Sequence, residues 1–174
     1  MEVIKTYKEH LPALRLIGKQ YFDSDRDGSG TFGAKWGDWF SKGWFSMLEK
    51  LGPLKENGDA YMGCMKVTGG KFSYWIGMFF PQGTEVPEGF EFADLPEGDV
   101  GVNWIYGRDD TGELYGEKVH LLCMEKLSAA GMRPEDFENS VCPWVFERYN
   151  CPRFTTPDQN GNVILDYGIY LKAK

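Results

Sequence analysis

Glu147 is the side chain in this sequence most suggestive of chemistry, set in the run Trp144-Val145-Phe146-Glu147-Arg148-Tyr149-Asn150. Aromatic and β-branched residues dominate the run, as they do in strands. A period of two places Val145, Glu147 and Tyr149 on one face and Trp144, Phe146 and Arg148 on the other. A carboxylate between an aliphatic and an aromatic neighbour fits two settings. It can face water or a lysine on an edge strand, or it can form the floor of an aromatic-walled pocket.

The other reactive residue types form no catalytic or metal-binding pattern. Cys64, Cys123, Cys142 and Cys151 make no CxxC, and His10 and His120 are the only histidines, so neither a zinc site nor any other metal or cofactor is expected. Cys123 falls on an apolar helix, where packing is its expected role, and His120 lies on the same helix in a structural role. The loop Asp23-Ser24-Asp25-Arg26-Asp27-Gly28-Ser29-Gly30 begins like a calcium loop. Its twelfth position is Ala34 instead of a bidentate glutamate, its eighth is Gly30, and the segment before it reads as strand. It is expected to be a solvated turn.

Composition narrows the function classes. The 174 residues suffice for one domain, and 42% hydrophobic content is ordinary for a globular chain. Six Trp, nine Tyr and twelve Phe are a surplus, and aromatic side chains line ligand pockets. A net charge of −7 argues against direct nucleic-acid binding and against an anionic membrane surface. The start MEVIKTYKEH has no apolar signal core and no apolar run is long enough to span a bilayer, so the expected setting is the cytoplasm.

The elements that must position Glu147 follow from patterning. Strands are expected over Val3–Phe22, broken at His10-Leu11-Pro12-Ala13, over Phe90–Gly107 with a central break, and over Tyr61–Val67, Phe72–Phe80, Trp144–Asn150 and Ile164–Leu171. Thr68-Gly69-Gly70-Lys71 signals a hairpin. A helix over Thr31–Leu51 gathers Phe32, Trp36, Trp39, Phe40, Trp44, Met47, Leu48 and Leu51 on one face, and Gly52-Pro53 ends it. A second helix, about Glu113–Ala130, closes at Gly131.

The order β-α-β-β then occurs twice, in repeats of about 1–83 and 84–174 linked through Pro81–Gly89. The expected fold is α+β, a tandem repeat in one domain spanning 1–174. An antiparallel sheet carries helices on one face, and the other face curves into a central cleft between two pseudo-symmetric halves.

Several short stretches resemble the GyrI-like, or AraC-type effector-binding, small-molecule-binding family. Val86-Pro87-Glu88-Gly89 through Asp94-Leu95-Pro96-Glu97-Gly98 resembles its inter-repeat linker. Phe146-Glu147-Arg148-Tyr149-Asn150-Cys151-Pro152 resembles its F-E-x-Y-x-x-P strand. Asp166 through Lys172 resembles its closing acidic-x-x-I-Y-L-P-V strand, with Gly168 where an acidic residue often stands and Lys172 where proline is usual. The resemblance implies a cleft for bulky, flat, often cationic hydrophobic compounds, with Glu147 as buried counter-charge. A carboxylate in an apolar cleft is costly unless a cation pairs with it, so an empty site selects positive ligands. Trp75, Trp104, Tyr149 and Tyr170 are the expected aromatic walls, with Tyr106, Trp36 and Trp39 as further candidates.

Three functions are compatible with this reading. The chain can be a stand-alone drug or effector sensor that works through a separate regulator protein, since it carries no helix-turn-helix. Stand-alone members of the family it resembles hydrolyse cyclopropane-bearing alkylating natural products, so the resemblance also implies an enzyme using Glu147 and Tyr149. A protein-interaction module is the third reading.

Overall fold

The hairpin at Gly69-Gly70, between the third and fourth of eight strands, forms as the residues dictate. Both glycines take positive φ, which a two-residue turn between strands of native twist requires. They join β3 (Tyr61–Thr68) to β4 (Lys71–Pro81) in antiparallel register. The computed structural model describes residues 1–54, 60–135 and 144–172. Cys142 lies outside the described residues.

The remaining strands are β1 (Glu2–Leu11), β2 (Leu14–Tyr21), β5 (Glu91–Leu95), β6 (Gly98–Arg108), β7 (Trp144–Tyr149) and β8 (Asn162–Tyr170). All pair antiparallel in one eight-stranded sheet of order β1-β6-β8-β7-β3-β4-β2-β5. The Pro12-Ala13 break divides the opening segment into two strands that never pair with each other. β1 adds to β6, whereas β2 lies between β4 and β5. The break before Pro96 does the same to β5 and β6, so each half places its first strand at the far edge beside the other half. The strand order is unchanged when first-half and second-half strands are exchanged.

The expected long helix is two short ones, α1 (Gly33–Ser41) and α2 (Trp44–Glu49). Gly43 breaks it in the left-handed conformation, at φ 66°. The single apolar stripe does not continue across this break: Phe40 of α1 and Met47 of α2 face solvent, and Phe45 lies in the core. The third helix, α3 (Glu117–Ala129), buries Val119, Cys123 and Leu127 at four-residue spacing. Among the described residues no helix is long and apolar enough to cross a membrane.

Helices cover one face of the sheet. Trp39, Phe45 and Leu48 pack there on Ile17, Ile76 and Met78, and Val119, Cys123 and Leu127 on Ile105, Val145 and Leu165. Met65 touches both clusters, at the seam where β3 meets β7. On the opposite face one cluster joins Leu11 and Val100 to Leu16 and Leu95, from strands at the two ends of the sheet. A sheet whose edges share one cluster must curve around that face. Beside this cluster, Arg148 donates to Glu9 at 2.8 Å and Asp166 at 3.0 Å, with Asn150 and Arg153 completing the bonds to Asp166. The buried charges are thus paired and hydrogen-bonded, and they tie β1, β7 and β8 together.

A buried glutamate among tyrosines as the candidate functional site

Glu147 lies on β7, opposite Gly63 of β3 on one side and Tyr167 of β8 on the other. Its side chain points to the helix-covered face, with Val145 and Tyr149, as the alternation requires. It is 5% exposed. Oε2 accepts hydrogen bonds from the hydroxyls of Tyr74, at 3.0 Å, and Tyr149, at 2.9 Å. Among the described residues no Lys, Arg or His forms an ion pair with it.

The absence of a side chain at Gly63 opens the route for Tyr74. A Cβ there would sit 2.3 Å from the Tyr74 hydroxyl oxygen and 2.9 Å from Glu147 Oε2. Behind Tyr74, the Trp36 indole donates to its hydroxyl at 3.1 Å, and the Trp36 ring meets Tyr149 edge-on at 4.8 Å. Phe32 stacks on Tyr74 at 4.5 Å, and Phe154 packs edge-on against Tyr149 at 4.7 Å. Helix α1 therefore sets an aromatic roof over the carboxylate.

Burial dominates the electrostatics. Loss of solvent pushes the Glu147 carboxyl up to about 7, and the hydrogen bonds from Tyr149 and Tyr74 oppose that rise without cancelling it. Tyr74, Tyr149, Tyr115 and Tyr167 are raised in turn, first by their own burial and, further down the order of causes, by the neighbouring Glu147 charge. His120 bonds the Tyr167 hydroxyl at 3.1 Å through Nδ1, and burial lowers its basicity. The arrangement is a negative group ringed by phenols and an indole, with no positive partner among the described residues. It can hold a cation that brings its own apolar bulk, and a carboxyl that titrates near neutrality can also move a proton.

The structure gathers only part of the expected site. Glu147, Tyr149 and Trp36 come together. Trp39 is wholly buried in the helix-side core, where its indole donates to Tyr21 at 3.0 Å. Trp75, Trp104, Tyr106 and Tyr170 are on strand positions that face the other way, so Glu147 does not look into the curved, helix-free face where the cleft was expected. On that face Tyr170 is buried and donates to the Pro96 carbonyl, and Tyr106 sits near the surface on Asp158 and Asn162. Trp104 is already covered by the chain's own cations, Lys5 at 4.3 Å and Arg153 at 4.8 Å.

Tyr74, Tyr115, Tyr167 and Gly63 were not among the expected site residues. β4 is apolar on both faces, so alternation could not favour Tyr74 over Trp75. The remaining candidates resolve simply. Asp27 of the calcium-like loop accepts from Thr31 Oγ1 and the Ser29 and Thr31 amides, which fill its oxygens and hold its carboxyl down to about 2. His10 is exposed between Asp99 and Glu97, and Cys64, Cys123 and Cys151 are free thiols.

No protein-family model matches the chain, and no curated sequence does. Solved structures of the same fold do exist. SAV2435 in complex with tetraphenylphosphonium aligns over 98% of this chain and 95% of its own, at 16% identity and TM-score 0.67. A candidate transcription-regulation protein of Staphylococcus aureus MU50 aligns over 97% and 99%, at 19% identity and TM-score 0.65. The EcmrR chain of a DNA-bound transcription complex aligns over 98% of this chain and 58% of its own, at 10% identity and TM-score 0.61. At these identities the likeness establishes the fold alone, an α+β architecture built on one eight-stranded antiparallel sheet.

Proposed function

We propose that this chain is a GyrI-like module, one domain of two repeats at about 1–83 and 84–174, that binds bulky hydrophobic cations with Glu147 as counter-charge. One observation carries the reading: Glu147 is buried, accepts two tyrosine hydroxyls and has no cation among the described residues. A buried carboxylate without a positive partner is held at a cost that a cationic ligand removes. Aromatic faces add about 0.5–2 kcal/mol each through cation–π attraction. Tyr74, Tyr149 and Trp36 are the nearest such faces. The Trp36 indole is bonded to Tyr74 and packed on Tyr149, so a ligand reaching Glu147 from the α1 side displaces it. The tetraphenylphosphonium bound by SAV2435 has the chemistry that the geometry selects.

The test is calorimetric titration with tetraphenylphosphonium, on the wild type and Glu147→Gln. Saturable binding that the substitution abolishes or greatly weakens supports the reading. Equal affinity in both proteins overturns it.

A hydrolase is the second reading, favoured by the Glu147 carboxyl titrating near 7, where a general base works best. A Listeria innocua hydrolase shares the fold at TM-score 0.51 and 10% identity. Incubation with a cyclopropane-bearing alkylator, followed by mass spectrometry, decides it. A ring-opened, water-added product made by the wild type and not by Glu147→Gln identifies an enzyme, and recovery of intact compound refutes one.

A further inference from the structure

The helix-free face holds a second concavity, of ≈ 330 Å³, at the end of β2, β4, β3 and β7. Its floor is Trp75 and Trp144, whose rings meet edge-on at 6.4 Å, and Phe22 stands exposed at the rim. Lys66 and Lys71 line it, with Gln20, Ser73, Thr68 and Ala93, and no acidic residue does. In a chain of net charge −7 that local sign runs against the whole. Lys66 Nζ sits 4.9 Å from the Trp144 ring, and neither lysine has a carboxylate partner among the described residues.

Trp75 supplies an independent indication. The residue is 5% exposed, and its indole Nε1 is buried with no hydrogen-bond acceptor among the described residues. A buried donor left unbonded costs about 1–3 kcal/mol, and buried polar groups in native proteins rarely lack partners. A ligand oxygen settling on the Trp75 side of the concavity would supply the missing acceptor. The size lies within the range of small-molecule pockets, two indoles favour a flat ring system, and two ammonium groups without a carboxylate partner among the described residues favour a negative one.

We propose that this concavity is a second ligand site, separate from Glu147, that takes a planar aromatic anion of the aryl-carboxylate class. The rings lie against the floor that the Trp75 and Trp144 indoles form, the carboxylate meets Lys66 and Lys71, and one ligand oxygen accepts from Trp75 Nε1. The two sites face opposite sides of the sheet and select opposite charges. The second does not depend on what Glu147 binds.

The probe is 2-naphthoate, followed by calorimetry and tryptophan fluorescence, with neutral 2-naphthamide as its isostere. Saturable naphthoate binding is expected, with the amide at least about tenfold weaker. Lys66→Met combined with Lys71→Met should weaken naphthoate by at least about tenfold, while Glu147→Gln leaves it unchanged and tetraphenylphosphonium does not compete. Trp75→Phe should weaken naphthoate, because it removes the donor that the ligand oxygen accepts from. Absence of saturable binding, equal affinity for the amide, indifference to the lysine pair, or competition with tetraphenylphosphonium would each overturn the proposal.

Discussion

Gly63 stands directly across the β3–β7 ladder from Glu147, and the room left by its missing side chain lets the Tyr74 hydroxyl reach the carboxylate. Tyr74 belongs to β4, one strand further out, and must cross the β3 backbone to bond Glu147 at 3.0 Å. Gly63→Ala should therefore displace Tyr74 or Glu147 instead of adding a harmless methyl. Overpacking of this kind costs about 1–3 kcal/mol, measurable by denaturant unfolding, and tetraphenylphosphonium affinity should change with it. Unchanged stability and affinity would mean that the tyrosine is not held where it lies.

Glu147→Gln should weaken tetraphenylphosphonium binding by at least about thirtyfold, since losing one partner of a buried charge pair costs roughly 2–5 kcal/mol. Titration calorimetry at pH 8 reads this directly.

The same residue sets a pH dependence of opposite sign for stability and for binding. Its carboxyl rises from 4.5 to about 7 on folding, so the native state holds the proton more tightly than the unfolded chain. The resulting stabilisation is complete below 4.5 and is lost as pH climbs through about 7, a change of roughly 3 kcal/mol. The wild type should lose stability between pH 5 and pH 8, and Glu147→Gln should lose correspondingly less. Cation affinity should run the other way, rising with pH and levelling off above about 7. Thermal unfolding and calorimetry across that window check both slopes.

Tyr74→Phe removes a hydrogen bond that favours the ionised carboxylate. A bond to a charged group is worth about 1.5–3 kcal/mol, so the pH midpoint for cation binding should move up by about one unit. A midpoint that stays put would assign the stabilisation to Tyr149 alone.

Gly168→Ala probes the other side of the sheet. The added Cβ would lie 2.1 Å from Cζ of the Phe146 ring, which is 1% exposed and has no free space to move into. Stability should fall by about 1–3 kcal/mol, while the pH midpoint of cation binding stays that of the wild type. The Phe146 ring also explains why glycine stands here in a strand that otherwise follows its pattern.

The strands, the Gly69-Gly70 turn and the position of Glu147 on a strand were all legible in the sequence, because each depends on local spacing and on backbone preferences of single residues. The break in the first helix depended on Gly43, one of several glycines in that stretch, and only the positive φ it adopts separates α1 from α2. Which residues surround Glu147 was decided by the tertiary structure. Alternation divides a strand into two faces but cannot name the face that looks inward when both are apolar, as in β4, where Tyr74 and Trp75 are both buried. It likewise cannot see that a glycine on one strand clears a path for a tyrosine from the next. The sequence determined the charge and the strand that carries it. Burial between α1 and the sheet, which raises that charge's pKa and surrounds it with phenols, arises only when strands distant in sequence lie side by side.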